Sequence, residues 1–151
     1  MSRVALLDVN VLVALFDPDH VHHELAHDWF ADHRAYGWAT CPVTENGVVR
    51  VLSNPAYGHE TLRPDLVMKG LRTFRGSGHH VFWPDAISLA DERLFNLAVA
   101  AGHRQLTDVY LLGLAKAMTG CLATFDRTIP LKAVVGATAS SLLIIGPSDH
   151  A

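Results

Sequence analysis

Short apolar runs recur along the chain, each bounded by glycine, proline or polar residues. They occupy residues 3–7, 37–41, 79–83, 121–126 and 141–146. Apolar runs of four to eight residues without polar alternation are typical of strands that are buried on both faces, as in parallel sheets. The pattern therefore predicts a sheet of four to five strands.

Longer segments with helical spacing lie between these runs. They cover residues 10–16, 21–34, 42–52, 64–75, 89–101 and 108–118. Local signals mark several of the boundaries, because Asn10 and Thr107 are residue types that cap helix N-termini, and Pro42 and Pro64 suit a first helical position. Gly120 suits a helix C-terminus. The pattern therefore predicts six helices.

Strands and helices alternate along the whole sequence, with no internal repeat, linker or low-complexity stretch between them. Such alternation indicates the α/β class, in which helices cover both faces of a mainly parallel sheet. With 151 residues, half of them hydrophobic, the chain is long enough to bury one sizeable core. We expect a single domain over residues 1–151.

Composition narrows the class of protein further. Cys41 and Cys121 are far apart and belong to no CxxC motif, which argues against a disulfide scaffold and a structural zinc site. The sequence contains neither a run of about eighteen apolar residues nor a charged leader with a cleavage site, so we expect a cytoplasmic protein with no membrane contact. A net charge of −3 argues against binding nucleic acid through a global positive field alone.

Four acidic residues fall where α/β sheets form their sites. Asp8 and Asp126 follow apolar strands, Glu45 lies in the first turn of the helix after the second strand, and Asp108 begins a later helix. Sites in open α/β sheets form beyond the carboxyl ends of the strands. We therefore expect these acids to meet, although Asp108 has to project sideways because its helix precedes a strand.

Each acid also has a structural interpretation. Asp108 and Glu45 can stabilise helix N-termini through the helix dipole, and Asp126 can begin a turn. Asp8 is harder to explain, because a strand end among aliphatic residues offers a carboxylate only backbone amides or a metal ion. The joint pattern therefore favours a site.

A cluster of carboxylates needs positive charge. Three or four carboxylates at one point repel one another and raise their own pKa values unless a cation lies between them. Mg²⁺ and Mn²⁺ prefer such oxygen ligands, whereas zinc prefers histidine and cysteine, and neither type adjoins these acids in the sequence. The acids therefore predict an Mg²⁺ or Mn²⁺ site.

Four fragments of the sequence combine into a larger pattern. They are LLDVNVLVAL at residues 6–15, TENGVVRVL at 44–52, QLTDVYLLGLA at 105–115 and LATFD at 122–126. Each fragment alone is a weak signature, but four in this order and at these separations are specific. The chain resembles the PIN-domain family over nearly its whole length, and most closely the VapC-type toxins of bacterial toxin–antitoxin pairs.

The resemblance implies a three-layer α/β/α PIN-like fold and a metal-dependent endoribonuclease. In this chain the acidic quartet of the family corresponds to Asp8, Glu45, Asp108 and Asp126, with no position missing. Asp8 and Asp108 correspond to direct metal ligands, and Glu45 and Asp126 either bind a second ion or orient metal-bound water. Catalysis would be attack by metal-activated water on an RNA phosphodiester.

The resemblance also implies supporting residues and partners. Asn10 corresponds to the polar residue that steadies the first aspartate, and Thr124 to the small polar residue near the last. The implied partners are RNA, a cognate VapB-type antitoxin that inserts a segment into a groove, and a second copy of the chain in a homodimer. Apolar residues of the early helices can supply the dimer surface or belong to the core: Leu12, Leu15, Trp29 and Phe30.

Two other functions remain open from the sequence. One is a PIN-like module that binds RNA or protein without cutting it, against which the complete acidic set argues. The other is a phosphatase with an aspartate nucleophile, but that chemistry usually needs a second acid two residues after the first, where this chain has Asn10.

Other polar groups suggest weaker hypotheses. Five histidines lie in the segment from His20 to His33, and two of them, His23 and His27, have the i,i+4 spacing of a metal-binding pair. The sequence supplies no third metal ligand of known geometry beside this pair, so we expect a solvated helix face. Arg50 lies past Glu45 on the same predicted helix and can meet RNA phosphate or an antitoxin carboxylate. The basic residues of segment 64–75 and Arg63 before it either bind RNA backbone or form an ordinary charged face.

Overall fold

A parallel sheet organises the structure, a computed structural model that describes residues 3–58, 61–99 and 102–146. Its strands are β1 (Ala5–Leu7), β2 (Trp38–Thr40), β3 (His80–Phe82), β4 (Cys121–Thr124) and β5 (Leu142–Ile144). Their spatial order is β3-β2-β1-β4-β5, and every neighbouring pair is parallel. The predicted parallel sheet is confirmed, and its strands are shorter than the apolar runs.

Five α-helices accompany the sheet within the described ranges. They are α1 (Val9–Phe16), α2 (His23–His33), α3 (Pro42–Leu52), α4 (Pro64–Arg75) and α5 (Leu106–Ala117). The predicted bounds of α3 and α4 are confirmed, because a proline at the first position fixes each start locally. None of these helices has the length and apolar character to cross a bilayer.

Two hydrophobic clusters cover the two faces of the sheet. Leu7 of β1 packs with side chains of α1 to α4 on one face, and its neighbour Leu6 packs with side chains of α5 on the other. This split follows from strand geometry, since successive side chains point to opposite faces. The result is the expected three-layer α/β/α arrangement.

The apolar residues of the early helices belong to the core. Within the chain, the side chains of four such residues are almost entirely buried: Leu12, Leu15, Trp29 and Phe30. Their burial in the cluster on the α1 face leaves little surface for a second copy of the chain. Of the two roles open from the sequence, the structure supports core packing.

The start of α1 differs from the prediction. Asp8, with extended backbone angles, is the N-cap, and its Oδ1 accepts a hydrogen bond of 2.7 Å from the Val9 N–H. Asn10 lies inside the helix, so its predicted role as N-cap is wrong. The apolar pattern could not separate the two residues, because aspartate and asparagine cap helices equally well.

The start of α5 also differs from the prediction. A 3₁₀ turn at His103–Gln105 leads directly into the helix, with Gln105 as the N-cap and Thr107 inside the first turn. The predicted cap at Thr107 is therefore wrong. The Gln105 side-chain amide donates to the Thr128 carbonyl oxygen, a contact distant in sequence that helps to fix where this helix begins.

The predicted helix over residues 89–101 is wrong for the part that the structure describes. Residues 89–99 form turns and a 3₁₀ turn at Leu97–Val99, and residues 100–101 lie outside the described ranges. Backbone hydrogen bonds join this segment to residues 133–135, and the Phe95 ring fits against Gly113 of α5. These long-range contacts override the local helical pattern.

The histidines between His20 and His33 are half-buried rather than a solvated face. His23 Nδ1 lies 2.7 Å from the Ala14 carbonyl oxygen, and His27 Nε2 lies 3.0 Å from that of Leu15. Both carbonyls belong to the last turn of α1, where helix acceptors lack helical partners. The expectation of a solvated face is wrong, because these imidazoles join α2 to the end of α1.

Candidate active site

The strand order places β1 and β4 side by side at the point where the chain reverses direction across the sheet. From β1 the chain builds outward through β2 and β3, and then returns to β4 on the opposite side of β1. Such switch points open a crevice at the carboxyl ends of the strands. Asp8 directly follows β1, and Asp126 lies two residues beyond β4.

Asp8 is a buried carboxylate with local partners. Its side chain is only 5% exposed, and its Oδ2 accepts a hydrogen bond of 2.7 Å from the Thr124 hydroxyl. Burial raises the pKa of Asp8, although the hydrogen bonds from Thr124 and the Val9 amide act in the opposite direction. The cap of α1 and Thr124 therefore offset part of the cost of burying this acid.

Asp126 begins a turn, as its structural interpretation predicted, and it also faces another acid. Its Oδ1 accepts hydrogen bonds from the Thr128 N–H at 2.8 Å and from the Thr128 hydroxyl at 2.7 Å. The Thr128 hydroxyl is the main cause that lowers the pKa of Asp126, and a hydrogen bond with Asp108 acts in the same direction. Asp126 is thus held in its charged form.

Thr124 connects the first and last aspartates. While its hydroxyl donates to Asp8, the same oxygen accepts from the Asp126 N–H at 3.0 Å and from Asn10 Nδ2 at 3.3 Å. Asn10 thus reaches Asp8 through Thr124. Its own Oδ1 is buried and has no hydrogen-bond partner among the described residues. A buried acceptor without a hydrogen-bond partner is rare in folded proteins.

Asp108 completes a group of three acids. It lies in the first turn of α5, and its pKa is raised to about 7 by burial, by the charges of Asp8 and Asp126, and by a hydrogen bond with Asp126. These causes require the three carboxyls to be close together. Asp8, Asp108 and Asp126 thus lie near one another, and a hydrogen bond joins Asp108 to Asp126. Their role as catalytic residues stays a prediction.

Glu45 is held by different partners. It lies in the first turn of α3, and its Oε2 accepts a hydrogen bond of 2.6 Å from the Thr40 hydroxyl. Arg75 Nη1, on α4, lies 3.4 Å from the same oxygen. The carboxyls that raise the pKa of Asp108 are those of Asp8 and Asp126. The role of Glu45 in a shared site stays a prediction.

Comparison with known proteins identifies close relatives, although no family model matches the chain. Ribonuclease VapC44 of Mycobacterium tuberculosis is 42% identical over 144 residues, which cover 91% of this chain and 96% of that protein. Ribonuclease VapC39 of the same organism is 39% identical over 87% of this chain and 95% of its own length. The chain belongs to the VapC family of PIN-domain toxins. Ribonuclease VapC29 is 44% identical over 80% of this chain and 84% of its own length.

The site residues expected from the sequence can be compared with those that the structure of this VapC-family protein brings together. Sequence reasoning named Asp8, Asp108, Asp126, Asn10 and Thr124, and the structure joins them in one network. It did not indicate the two threonines and the histidine that support Glu45 and Asp126: Thr40, Thr128 and His80. Only Thr128 had a local signal, since a hydroxyl two residues after an aspartate can close a turn on it.

The donor set of this VapC-family site suits a hard cation. Its acids offer only oxygen ligands, and the raised pKa of Asp108 reflects repulsion and burial that a dication would relieve. No group of three or more His, Cys, Asp or Glu residues in the described ranges is arranged to hold a metal ion. Mg²⁺ needs only one or two protein carboxylates and keeps several waters, so the residues present fit this ion.

The predicted basic residues differ in the contacts that they make within the chain. Arg50 lies in the last turn of α3, is exposed and makes no ion pair with a described acid, so its contact with RNA or antitoxin stays a prediction. Arg75 turns toward Glu45, and Arg63 pairs with Asp65 at 2.6 Å. These two arginines are therefore already engaged within the chain.

Proposed function

We propose that this protein is an Mg²⁺- or Mn²⁺-dependent endoribonuclease toxin that hydrolyses RNA phosphodiester bonds. One observation carries the proposal: Asp8, Asp108 and Asp126 are gathered at the carboxyl ends of β1 and β4, with a raised pKa at Asp108. Its relatives in Mycobacterium tuberculosis are named ribonucleases, which supports RNA as the substrate. A cytoplasmic location follows from such a substrate.

The side chains of the site have distinct tasks in this proposal. Asp8 and Asp108 hold the ion, and Glu45 and Asp126 bind a second ion or orient water. When bound, the ion supplies a water of lowered pKa and offsets negative charge on the phosphodiester. Thr124 fixes Asp8 relative to Asp126, and Thr128 keeps Asp126 charged. Asp108 would hold the ion in its ionised form, because a carboxylate binds a metal only when it is deprotonated.

A VapB-type antitoxin is the proposed protein partner. A groove of about 330 Å³ between the end of α1, α2 and α4 offers it an apolar surface. Leu62 and Leu66 on the rim of this groove are 41% and 52% exposed and extend its apolar surface. A homodimer stays part of the proposal, with the buried residues of α1 and α2 excluded from its interface.

The test is cleavage of single-stranded RNA by the purified protein with Mn²⁺, with Mg²⁺ and with excess EDTA. We expect cleavage with either ion and none with EDTA, because the acids alone cannot stabilise a charged transition state. Asp8→Asn should abolish both cleavage and growth arrest on expression. Asp28→Asn, the same change at an exposed position of α2, should retain both.

Two outcomes would contradict the proposal. Cleavage that survives EDTA, or an Asp8→Asn variant with full metal-dependent activity, would refute the assigned mechanism. RNA binding without cleavage under every metal condition would favour the non-cleaving PIN-like module instead. If the protein does cleave RNA, sequencing of the RNA ends after induced expression would identify the site of cleavage.

A further inference from the structure

The Glu45 carboxylate is held at only one of its two oxygens. Oε2 accepts from the Thr40 hydroxyl at 2.6 Å and lies 3.4 Å from Arg75 Nη1. Within the described ranges Oε1 makes no hydrogen bond. The glutamate side chain is 14% exposed, so it is largely desolvated but open at one side. One oxygen is fixed and the other is available.

A histidine lies behind the threonine. His80 Nε2, on β3, is 2.8 Å from Thr40 Oγ1. A carboxylate only accepts hydrogen bonds, so the single hydroxyl proton of Thr40 goes to Glu45. The Thr40 oxygen is then the acceptor for His80, and Nε2 of His80 carries a proton. The donors run in one direction, from His80 through Thr40 to Glu45.

The surroundings of this chain of hydrogen bonds keep it in place. Thr40 is completely buried in β2, and the His80 ring meets the Trp38 ring edge-on with centroids 4.7 Å apart. Burial, followed by the charge of Arg75, lowers the pKa of His80 to about 4. His80 is therefore neutral near pH 7. A single proton placed on Nε2 satisfies Thr40, and the direction of the chain is maintained.

We infer that Thr40 and His80 are positioning residues that fix Oε2 of Glu45 and leave Oε1 for the metal ion or its water. This inference rests on the proposed function of the site. Outer partners that hold a ligand typically contribute about 10- to 100-fold in metal affinity or activity. Thr40 contacts Glu45 directly, and His80 acts through Thr40. Neither residue touches the reacting atoms.

A double-mutant cycle tests whether Thr40 acts through Glu45. Thr40→Val keeps the buried shape and removes the hydroxyl, and we expect RNA cleavage by the Mn²⁺-loaded protein to fall about 10-fold or more. In a Glu45→Gln background the same change should cost less than about twofold, because coupled residues are not additive. Thr40→Ser should restore cleavage. An equal loss in both backgrounds would overturn the inference.

The histidine is tested by a pair of substitutions. His80→Phe removes the donor and keeps a ring against Trp38, whereas Gln places an amide near the original Nε2. We expect His80→Phe to weaken Mn²⁺ binding, measured by calorimetry, by about 10-fold and His80→Gln to weaken it much less. Equal binding by the Phe and Gln variants would overturn the role of His80.

A spectroscopic measurement separates this inference from the proposed function. The ¹³Cδ chemical shift of Glu45 in the metal-free protein reports its hydrogen bonds whether or not the protein cleaves RNA. We expect this shift to change in Thr40→Val and His80→Phe, and to stay constant in Thr73→Val, a matched change at an exposed position of α4. An unchanged shift in all three variants would overturn the inference, whereas a wild type without nuclease activity would refute only the proposed function.

Discussion

At the scale of single residues, the three carboxyls in one crevice differ in their hydrogen-bond partners and in the direction in which their pKa values are shifted. Thr128 keeps Asp126 charged, and Thr124 together with the α1 amide supports Asp8. Asp108 lacks such hydroxyl support, and its pKa is raised to about 7. Asp108, which lacks hydroxyl donors, is therefore the acid whose ionisation depends most on the neighbouring charges and on pH near neutrality.

This state predicts a pH-dependent stability in the absence of metal. The pKa of Asp108 is 3.8 in its ordinary setting and about 7 when folded, so the folded protein binds the extra proton and loses stability as pH rises through this window. Asp108→Asn should raise Tm at pH 8 in EDTA, by roughly 2–4 °C for each kcal/mol recovered. At pH 4 the gain should vanish.

Differential scanning fluorimetry at both pH values measures this effect. Asp28→Asn is the control, since the exposed Asp28 has the same chemistry without a carboxyl cluster. An equal gain from Asp108→Asn at pH 4 and pH 8 would show that repulsion in the site is not the cause. Screening by solvent makes the gain smaller than the full pKa difference implies, because Asp108 is only half-buried.

At the scale of elements, local signals succeeded where the chain itself sets a boundary. Pro42 and Pro64 begin α3 and α4 as predicted. The N–H groups of the first helical turn have no acceptor within the helix, so a proline, which lacks an N–H, is tolerated there. The helix predicted around Phe95 was wrong, because a local pattern does not report the pairing with residues 133–135 or the contact with Gly113. Such contacts depend on elements distant in sequence.

The junction of α1 and α2 yields a prediction at this scale. Pro18 lies four residues after Ala14 and has no N–H, so the Ala14 carbonyl lacks its helical donor and receives His23 instead. His23→Phe should leave this buried acceptor unsatisfied and lower the free energy of unfolding by about 1–3 kcal/mol. Urea denaturation measures the change.

The matched control for this prediction is His79→Phe. His79 is exposed, and its replacement should change stability by no more than about 0.5 kcal/mol. His27→Phe, which removes the donor to the Leu15 carbonyl, should resemble His23→Phe. If His23→Phe is as stable as the wild type, the imidazole does not serve as a cap of α1.

At the scale of the whole molecule, the sheet order brings the carboxyl ends of β1 and β4 side by side at one edge of the sheet. β1 and β4 are adjacent although more than a hundred residues separate them along the chain. A site assembled from such distant parts exists only in the folded chain. A metal ion that binds there should therefore stabilise the fold, since the unfolded chain offers no equivalent site.

Metal binding should raise Tm in a pH-dependent way. At a free Mn²⁺ concentration 100 times Kd, the expected stabilisation is about 2.7 kcal/mol. The Tm increase should be larger at pH 7.5 than at pH 5.5, because the ion competes with the proton on Asp108, whose pKa is about 7. Thermal melts with and without Mn²⁺ measure both values.

The control is Asp8→Asn, which should lose the Mn²⁺-dependent increase at either pH. A Tm increase that persists in this variant would show that the ion binds elsewhere. A Tm increase of equal size at both pH values would show that metal binding does not compete with the proton on Asp108. Either result would contradict the assignment of these two acids as ligands.

The sequence by itself determined the alternation of strands and helices, the parallel sheet and the acids at strand ends, because these depend on spacing and residue type over short stretches. The tertiary structure decided which residue caps α1, which carboxyl has the raised pKa and which groups hold Glu45. Those features depend on Thr124, His80 and Arg75, which reach their partners only after strands and helices have packed. Desolvation and hydrogen bonding between distant segments cannot be read from a local pattern.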